Sequence, residues 1–171
     1  MTKRPPKGSI RFSITLSEEQ KVAKEQMLKH PFSFVHGNAG SGKTLLAVQV
    51  ALDQFFKRQY NKIIITRPTV ATEDNGFLPG SEKEKMEPWL VPIKSNMRKV
   101  YNKPELLEKL ESEEQIELVS LSHFRGRTFD NSVVSIIPAT DAAFSRATLV
   151  TFLGSTIPAS NISTNSSVLA L

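Results

Sequence analysis

Phe32-Ser33-Phe34-Val35-His36 runs directly into Gly37-Asn38-Ala39-Gly40-Ser41-Gly42-Lys43-Thr44, and Leu45-Leu46-Ala47-Val48 follows. The first five residues form a short apolar run with the length of a buried strand. The next eight match G-x-x-x-x-G-K-[ST] through Gly37, Gly42, Lys43 and Thr44. Glycines let a backbone wrap closely and turn successive N–H groups toward one centre. A helix opening at Thr44 adds the positive end of its dipole. Lys43 is expected to reach the β- and γ-phosphates of a nucleoside triphosphate, and the Thr44 hydroxyl to ligate Mg²⁺. A chance match in a chain of this length has odds on the order of one in a hundred. A strand before the loop and a helix after it lower those odds further. The reading is therefore ATP with Mg²⁺, cradled by residues 37–44.

Outward from the loop, Thr44 to about Gln59 reads as a helix. Leu45, Leu46, Val48, Ala51, Leu52, Phe55 and Phe56 give it a wide apolar face. Lys62-Ile63-Ile64-Ile65-Thr66 is a second strand, apolar almost throughout, as in a parallel sheet covered on both sides. Strand, loop, helix and strand make a right-handed βαβ unit. Upstream, Ser17 and Gln20 have capping-box spacing for a helix reaching Lys29. Residues 67–92 read as a long connection holding Pro68, Pro79, Pro88 and Pro92. Helices are expected at 93–101 and 105–113, the latter opened by Pro104. Residues 116–121 and 132–137 are further strand candidates.

The bulk composition sets limits. There are 171 residues, enough for one domain with a sizeable core, and the net charge is +5. Such a basic excess suits nucleic-acid contact and ordinary solubility equally. The absence of cysteine excludes disulfides and thiolate chemistry, and three scattered histidines make no metal cluster. Residues 1–15 read as a basic flexible arm with Lys3, Arg4, Lys7 and Arg11, not as a signal peptide. No run approaches the ~20 apolar residues of a membrane span. The expected location is the cytoplasm, of the host if a phage encodes the chain.

Three further segments carry a resemblance. GNAGSGKTLLA, then IIITRPTVATEDNGFLPGSEKEKMEPWLVPI, then FRGRTFDN occur in this order. Together they resemble the PhoH-like family, phosphate-starvation-inducible P-loop ATPases common in phages. The likeness covers roughly residues 16–134. It implies an α/β fold, a RecA-like three-layer αβα core with a mainly parallel sheet, related to superfamily-one helicases. It implies ATP binding and hydrolysis, and a role on RNA or single-stranded nucleic acid. A homo-oligomer fits by analogy only. In that group a glutamine upstream of the loop reads adenine, and Gln20 holds the matching position; the capping-box reading of Gln20 stands beside it. Arg67 lies where helicase-like proteins meet nucleic acid. Arg125 and Arg127 are candidate phosphate or nucleic-acid contacts, against ion pairing with a carboxylate such as Asp130.

The chain also departs from the family. P-loop ATPases need a carboxylate at a strand end to hold the Mg²⁺ shell, and a neighbour that orients the attacking water. The family places Asp-Glu-Ala-Gln-Asn or similar after the strand that follows RGRT. Here Val133-Val134-Ser135-Ile136-Ile137 runs into Pro138-Ala139-Thr140-Asp141. Of the chain's 22 Lys and Arg and 17 Asp and Glu, only Asp141 and Arg146 fall in residues 135–171. The expected division is therefore a partial P-loop domain over 16–137 and a non-family, poorly ordered tail over 138–171. Such a tail leaves the strand before the loop as an apolar edge. Out-of-frame translation from about residue 135 explains the shift, and a divergent short member is the alternative; the other two reading frames of the gene discriminate. A nucleotide-binding fragment without hydrolysis competes with the ATPase reading. A small-molecule kinase is a third, opposed by the TRP and RGRT segments.

Overall fold

The helix that follows the glycine loop is buried on most sides. A computed structural model describes residues 12–67, 82–120, 127–137, 147–153 and 167–170. Four helices are α1 (Glu18–Lys29), α2 (Lys43–Phe56), α3 (Glu82–Val100) and α4 (Pro104–Ser112). Six strands are β1 (Phe32–His36), β2 (Lys62–Arg67), β3 (Ile116–Ser120), β4 (Ser132–Ile136), β5 (Ala147–Leu153) and β6 (Ser167–Ala170). They form one sheet in the order β3-β2-β4-β5-β1-β6.

β1, β2, β3, β4 and β6 run the same way, and β5 alone opposes them. The mainly parallel α/β sheet thus agrees with the sequence. The position of β1 does not: it lies between β5, with Phe34 opposite Leu149, and β6, with Phe34 opposite Val168. It is not an edge. Both covering strands come from residues 138–171, where the sequence suggests no strand. The register explains why no pattern showed. In β5, Thr148, Val150 and Phe152 face one side and Leu149, Thr151 and Leu153 the other, so each side mixes hydroxyl and apolar groups and alternation is blurred.

α1 begins as read. Ser17 Oγ accepts from the Gln20 N–H, and Gln20 Oε1 accepts from the Ser17 N–H at 3.1 Å. α3 is longer than expected and includes Pro88 and Pro92. Interior prolines disfavour a helix, but Leu90, Ile93, Met97 and Val100 recur at helical spacing and are buried. Their burial, together with contacts to α2, outweighs the local penalty. α4 starts at Pro104, as its rigid φ favours.

One buried cluster joins Val35, Ile63, Ile65, Ile116, Val133, Val150 and Phe152 of the sheet to apolar residues of all four helices. The register puts those strand residues on a single face. The described helices therefore pack on one face of the sheet, while Ile64 and Val134 on the other face are also buried. Right-handed crossovers explain this. The steps from β1 to β2 and from β2 to β3 travel in one direction across the sheet, so α2, α3 and α4 fall on one side. Helices on the other side would come from steps that travel back, and the described residues of those steps contain none. On that second face Phe32 and Phe34 are 44% and 40% exposed.

Candidate functional site

At the C-terminal end of β1 the chain leaves the sheet after His36, and residues 37–42 turn it into α2. Gly40 and Gly42 take φ of 81° and 85°, which only glycine adopts without strain. Gly42 is the residue that caps α2, and Leu46 N–H donates to Gly42 O at 2.8 Å as the first helical bond. Among the described residues no side chain caps this helix, and its first turn holds no acid. α1 contrasts with it, having the Ser17 cap and Glu18 and Glu19 in its first turn. The positive end of α2 is thus left for an outside anion.

Lys43 is 8% exposed and curls back over the loop. Its Nζ donates to Gly37 O at 2.8 Å and to Asn38 O at 2.7 Å. Burial lowers its pKa from the usual lysine value. Ser41 N–H donates to Asn38 O at 3.2 Å, which tightens the turn. Ser41 Oγ is buried and has no hydrogen-bond partner. The hydroxyls of Ser33, Thr66, Ser135 and Thr151 in the sheet share that state; the one at Ser41 lies where an anion in the loop could reach it. Asn38, Ala39 and Gly40 are exposed and Thr44 is half-buried, so the loop opens to solvent. A backbone cradle, an unfilled hydroxyl and one ammonium fit a polyphosphate.

Gln20 meets this loop directly. Its Nε2 donates to Ser41 O at 3.0 Å while its Oε1 stays in the capping box. The helix carrying it is pinned to α2. Lys24 Nζ lies 3.1 Å from Asp53 Oδ2, Lys57 Nζ lies 3.0 Å from the same oxygen, and Lys24 sits 5.6 Å above the Phe12 ring. Sequence reading missed the Lys24–Asp53 pair, because its two residues lie on different helices; the Asp53–Lys57 pair has the local i,i+4 spacing.

Of the three candidate arginines, Arg127 is bonded away from the loop. Arg67 ends β2 opposite Ser120 of β3. Arg125 lies outside the described residues. Arg127 donates to both oxygens of Glu117, at 2.6 and 2.9 Å, and its guanidinium lies 5.0 Å from the Phe129 ring centre. Its ion-pair partner is therefore Glu117 rather than Asp130. Lys62 joins the same carboxylate at 2.8 Å. The Arg127 hydrogen bond, with help from Lys62, holds the Glu117 pKa down against burial. Glu117 is on β3, the far edge strand from β1, and in the register row of Phe32, the end of β1 away from the loop.

β4 reaches the same end of the sheet as the loop. Its last bonds bring Ile137 N–H to Thr66 O at 2.8 Å, and Ile137 is buried. Asp130 lies before β4, at the opposite end, where its carbonyl accepts from Ser132 Oγ. Asp141 lies outside the described residues. Among the described residues no group of three or more His, Asp or Glu could hold a metal ion. No helix among them is long and apolar enough to cross a membrane.

Comparison with known proteins follows the same lines. The model of a family described as PhoH-like protein matches residues 14–154, through β5 and beyond the limit of about 134 read from the motifs. A PhoH-like protein of Bacillus subtilis (strain 168) is 38% identical over 135 residues, 78% of this chain and 41% of the relative. One from Synechocystis sp. is 34% identical over 131 residues, 76% of this chain and 39% of the relative. Protein PhoH2 of Mycolicibacterium smegmatis is 34% identical over 125 residues, 70% and 28%. The chain thus spans well under half the length of each of these relatives.

Proposed function

Because the chain belongs to the PhoH-like family, we propose that residues 37–44 bind the polyphosphate of ATP. The observation that carries this reading is the strand-to-helix loop itself: two glycines at positive φ, an uncapped helix start, and Lys43 buried within it. Gly37 to Gly42 supply backbone N–H groups, Lys43 turns from the Gly37 and Asn38 carbonyls toward the β- and γ-phosphates, and Thr44 would hold Mg²⁺. Bound there, the ion offsets charge on the phosphate oxygens. Replacing Lys43 with Ala tests this by calorimetry with Mg²⁺ present. At least a tenfold loss of ATP affinity is expected, and unchanged affinity refutes the assignment.

The whole-protein activity in this proposal is ATP hydrolysis in the manner of P-loop ATPases related to superfamily-one helicases, with a RecA-like core, linked to RNA or single-stranded nucleic acid. Arg67 and Arg125 are the proposed nucleic-acid contacts. A homo-oligomer belongs to the same analogy. Stimulation of phosphate release by RNA tests the linkage, and a rate indifferent to RNA counts against it.

One observation favours a second reading, binding without turnover. A P-loop ATPase takes its metal-shell carboxylate from a strand end beside the loop. Here that end is Ile136 and Ile137. In this reading 16–137 supplies the phosphate side of the site and 138–171 does not supply the carboxylate side. Single-turnover measurement with ATP separates the two: no phosphate release at saturating ATP supports binding alone, and release refutes it.

A further inference from the structure

Both ends of the Gln20 amide already bond to protein. Oε1 accepts from the Ser17 N–H at 3.1 Å, and Nε2 donates to Ser41 O at 3.0 Å. A glutamine that reads adenine must offer both ends of its amide to the base. Here each end keeps one further position, a lone pair on Oε1 and an N–H on Nε2, but the amide is oriented by the helix cap and the loop. The backbone at Gly42 lies so close that an added Cβ would be 2.7 Å from Gln20 Nε2. The amide is therefore packed on the loop as well as bonded to it.

The rest of α1 is built to hold that contact still. Gln20, Ala23, Lys24 and Met27 share one helical face. Ala23 and Met27 are buried, and Lys24 pairs with Asp53 on the helix that the loop opens. One rigid element thus grips the phosphate loop at Ser41 and the loop's own helix at Asp53. We infer that Gln20 is a positioning residue that fixes the phosphate loop, and that it does not select the base. The inference rests on the polyphosphate-binding reading of residues 37–44. On this assignment the loop is held in shape before a ligand arrives, and the benefit is the same for every ligand that carries the same phosphates.

Three probes separate the possibilities: ATP, GTP and inorganic tripolyphosphate, each with Mg²⁺, titrated into wild type, Gln20→Ala and Gln20→Glu. Gln20→Ala is expected to weaken all three by a common factor of about five to ten, the loss of one hydrogen bond that orders the site. If it weakens ATP to the level of GTP and leaves tripolyphosphate unchanged, the glutamine reads the base and the inference falls. Gln20→Glu keeps the capping acceptor, since Glu serves this box as well as Gln, but it removes the donor to Ser41. Amide hydrogen exchange over residues 38–44 in ligand-free protein is expected to speed up in both variants. Wild-type exchange rates in Gln20→Glu would show that the side chain only caps α1, and would overturn the inference without reference to any ligand. Failure of wild type to bind tripolyphosphate would instead refute the phosphate-loop reading, and the exchange data would still decide what Gln20 does.

Discussion

The two positive-φ glycines of the loop allow a controlled comparison. Gly40 and Gly42 have nearly the same backbone, φ 81° and 85°. A Cβ at Gly40 meets nothing within 4 Å, whereas one at Gly42 would stand 2.7 Å from Gln20 Nε2. Gly40→Ala therefore costs only the left-handed conformation, ~1–2 kcal/mol, less the few tenths to ~1 kcal/mol regained from a stiffer unfolded chain. Gly42→Ala costs the same and also drives the Gln20 amide off Ser41 O. A glutamine tip swings aside easily, so the added term is the lost hydrogen bond, ~1 kcal/mol. Urea unfolding should thus place Gly42→Ala about 1 kcal/mol below Gly40→Ala. In a Gln20→Ala background there is no amide to displace, and the gap should close. The expected coupling between Gln20→Ala and Gly42→Ala is ~1 kcal/mol, well above the scatter for independent sites. Additivity within ~0.3 kcal/mol would refute the contact on which the argument depends.

Other expectations follow from particular contacts. Phe152 is 5% exposed and stacks on Tyr60 with ring centres 5.4 Å apart, so Phe152→Ala should lower unfolding free energy by ~3 kcal/mol; no loss would mean β5 is not docked in the sheet. Asp53→Ala strands Lys24 and should cost ~2–3 kcal/mol by denaturant unfolding, while Lys57→Ala, whose side chain is 54% exposed, should cost under ~0.5 kcal/mol. Equal losses would refute that division. Glu117 has its pKa held below the ordinary 4.5. A depressed carboxylate binds fewer protons folded than unfolded, so its stability contribution is complete above 4.5 and disappears as pH falls through the folded value. Acid titration of the melting temperature should show a shallower acid limb in Arg127→Ala than in wild type, and parallel limbs would contradict the pairing.

Local signals carried much of this structure in the sequence. The capping box at Ser17 and Gln20, the glycine loop, and the apolar strands read at 32–36 and 62–66 were legible because each depends on neighbours within a few residues. What could not be read depends on partners far along the chain. Proline content argued against a helix through residues 88 and 92, and only packing against α2 reverses that. β5 was invisible because both of its faces mix threonine with apolar residues. Arg127 reads as a phosphate contact or as the partner of a nearby carboxylate such as Asp130, and its partner is instead Glu117, on another strand.

The same distinction bears on how complete the site is. Everything proposed to grip phosphate is local: a loop, the start of its helix, and a capping glutamine from the helix before it. A metal-shell carboxylate is not local, since a different strand must carry it to the mouth of β1. β4 does arrive there, with Ile136 paired to Thr66 and Leu149, but it brings isoleucine. The strand between β4 and β1 runs antiparallel. In a mixed sheet an antiparallel strand ordinarily lies at the edge, whereas this one lies in the interior. An antiparallel strand at that place also reverses which of its ends lies beside the loop: Ala147, its first residue, is opposite His36. A parallel strand would instead deliver its final residues, and whatever polar groups followed them, to the phosphates. Among the described residues, the half of the crevice formed by β1 and α2 carries the proposed polyphosphate site, and the half formed by β4 and β5 brings Ile136, Ile137 and Ala147 to that end. That asymmetry is the structural reason to expect binding to be more robust than turnover.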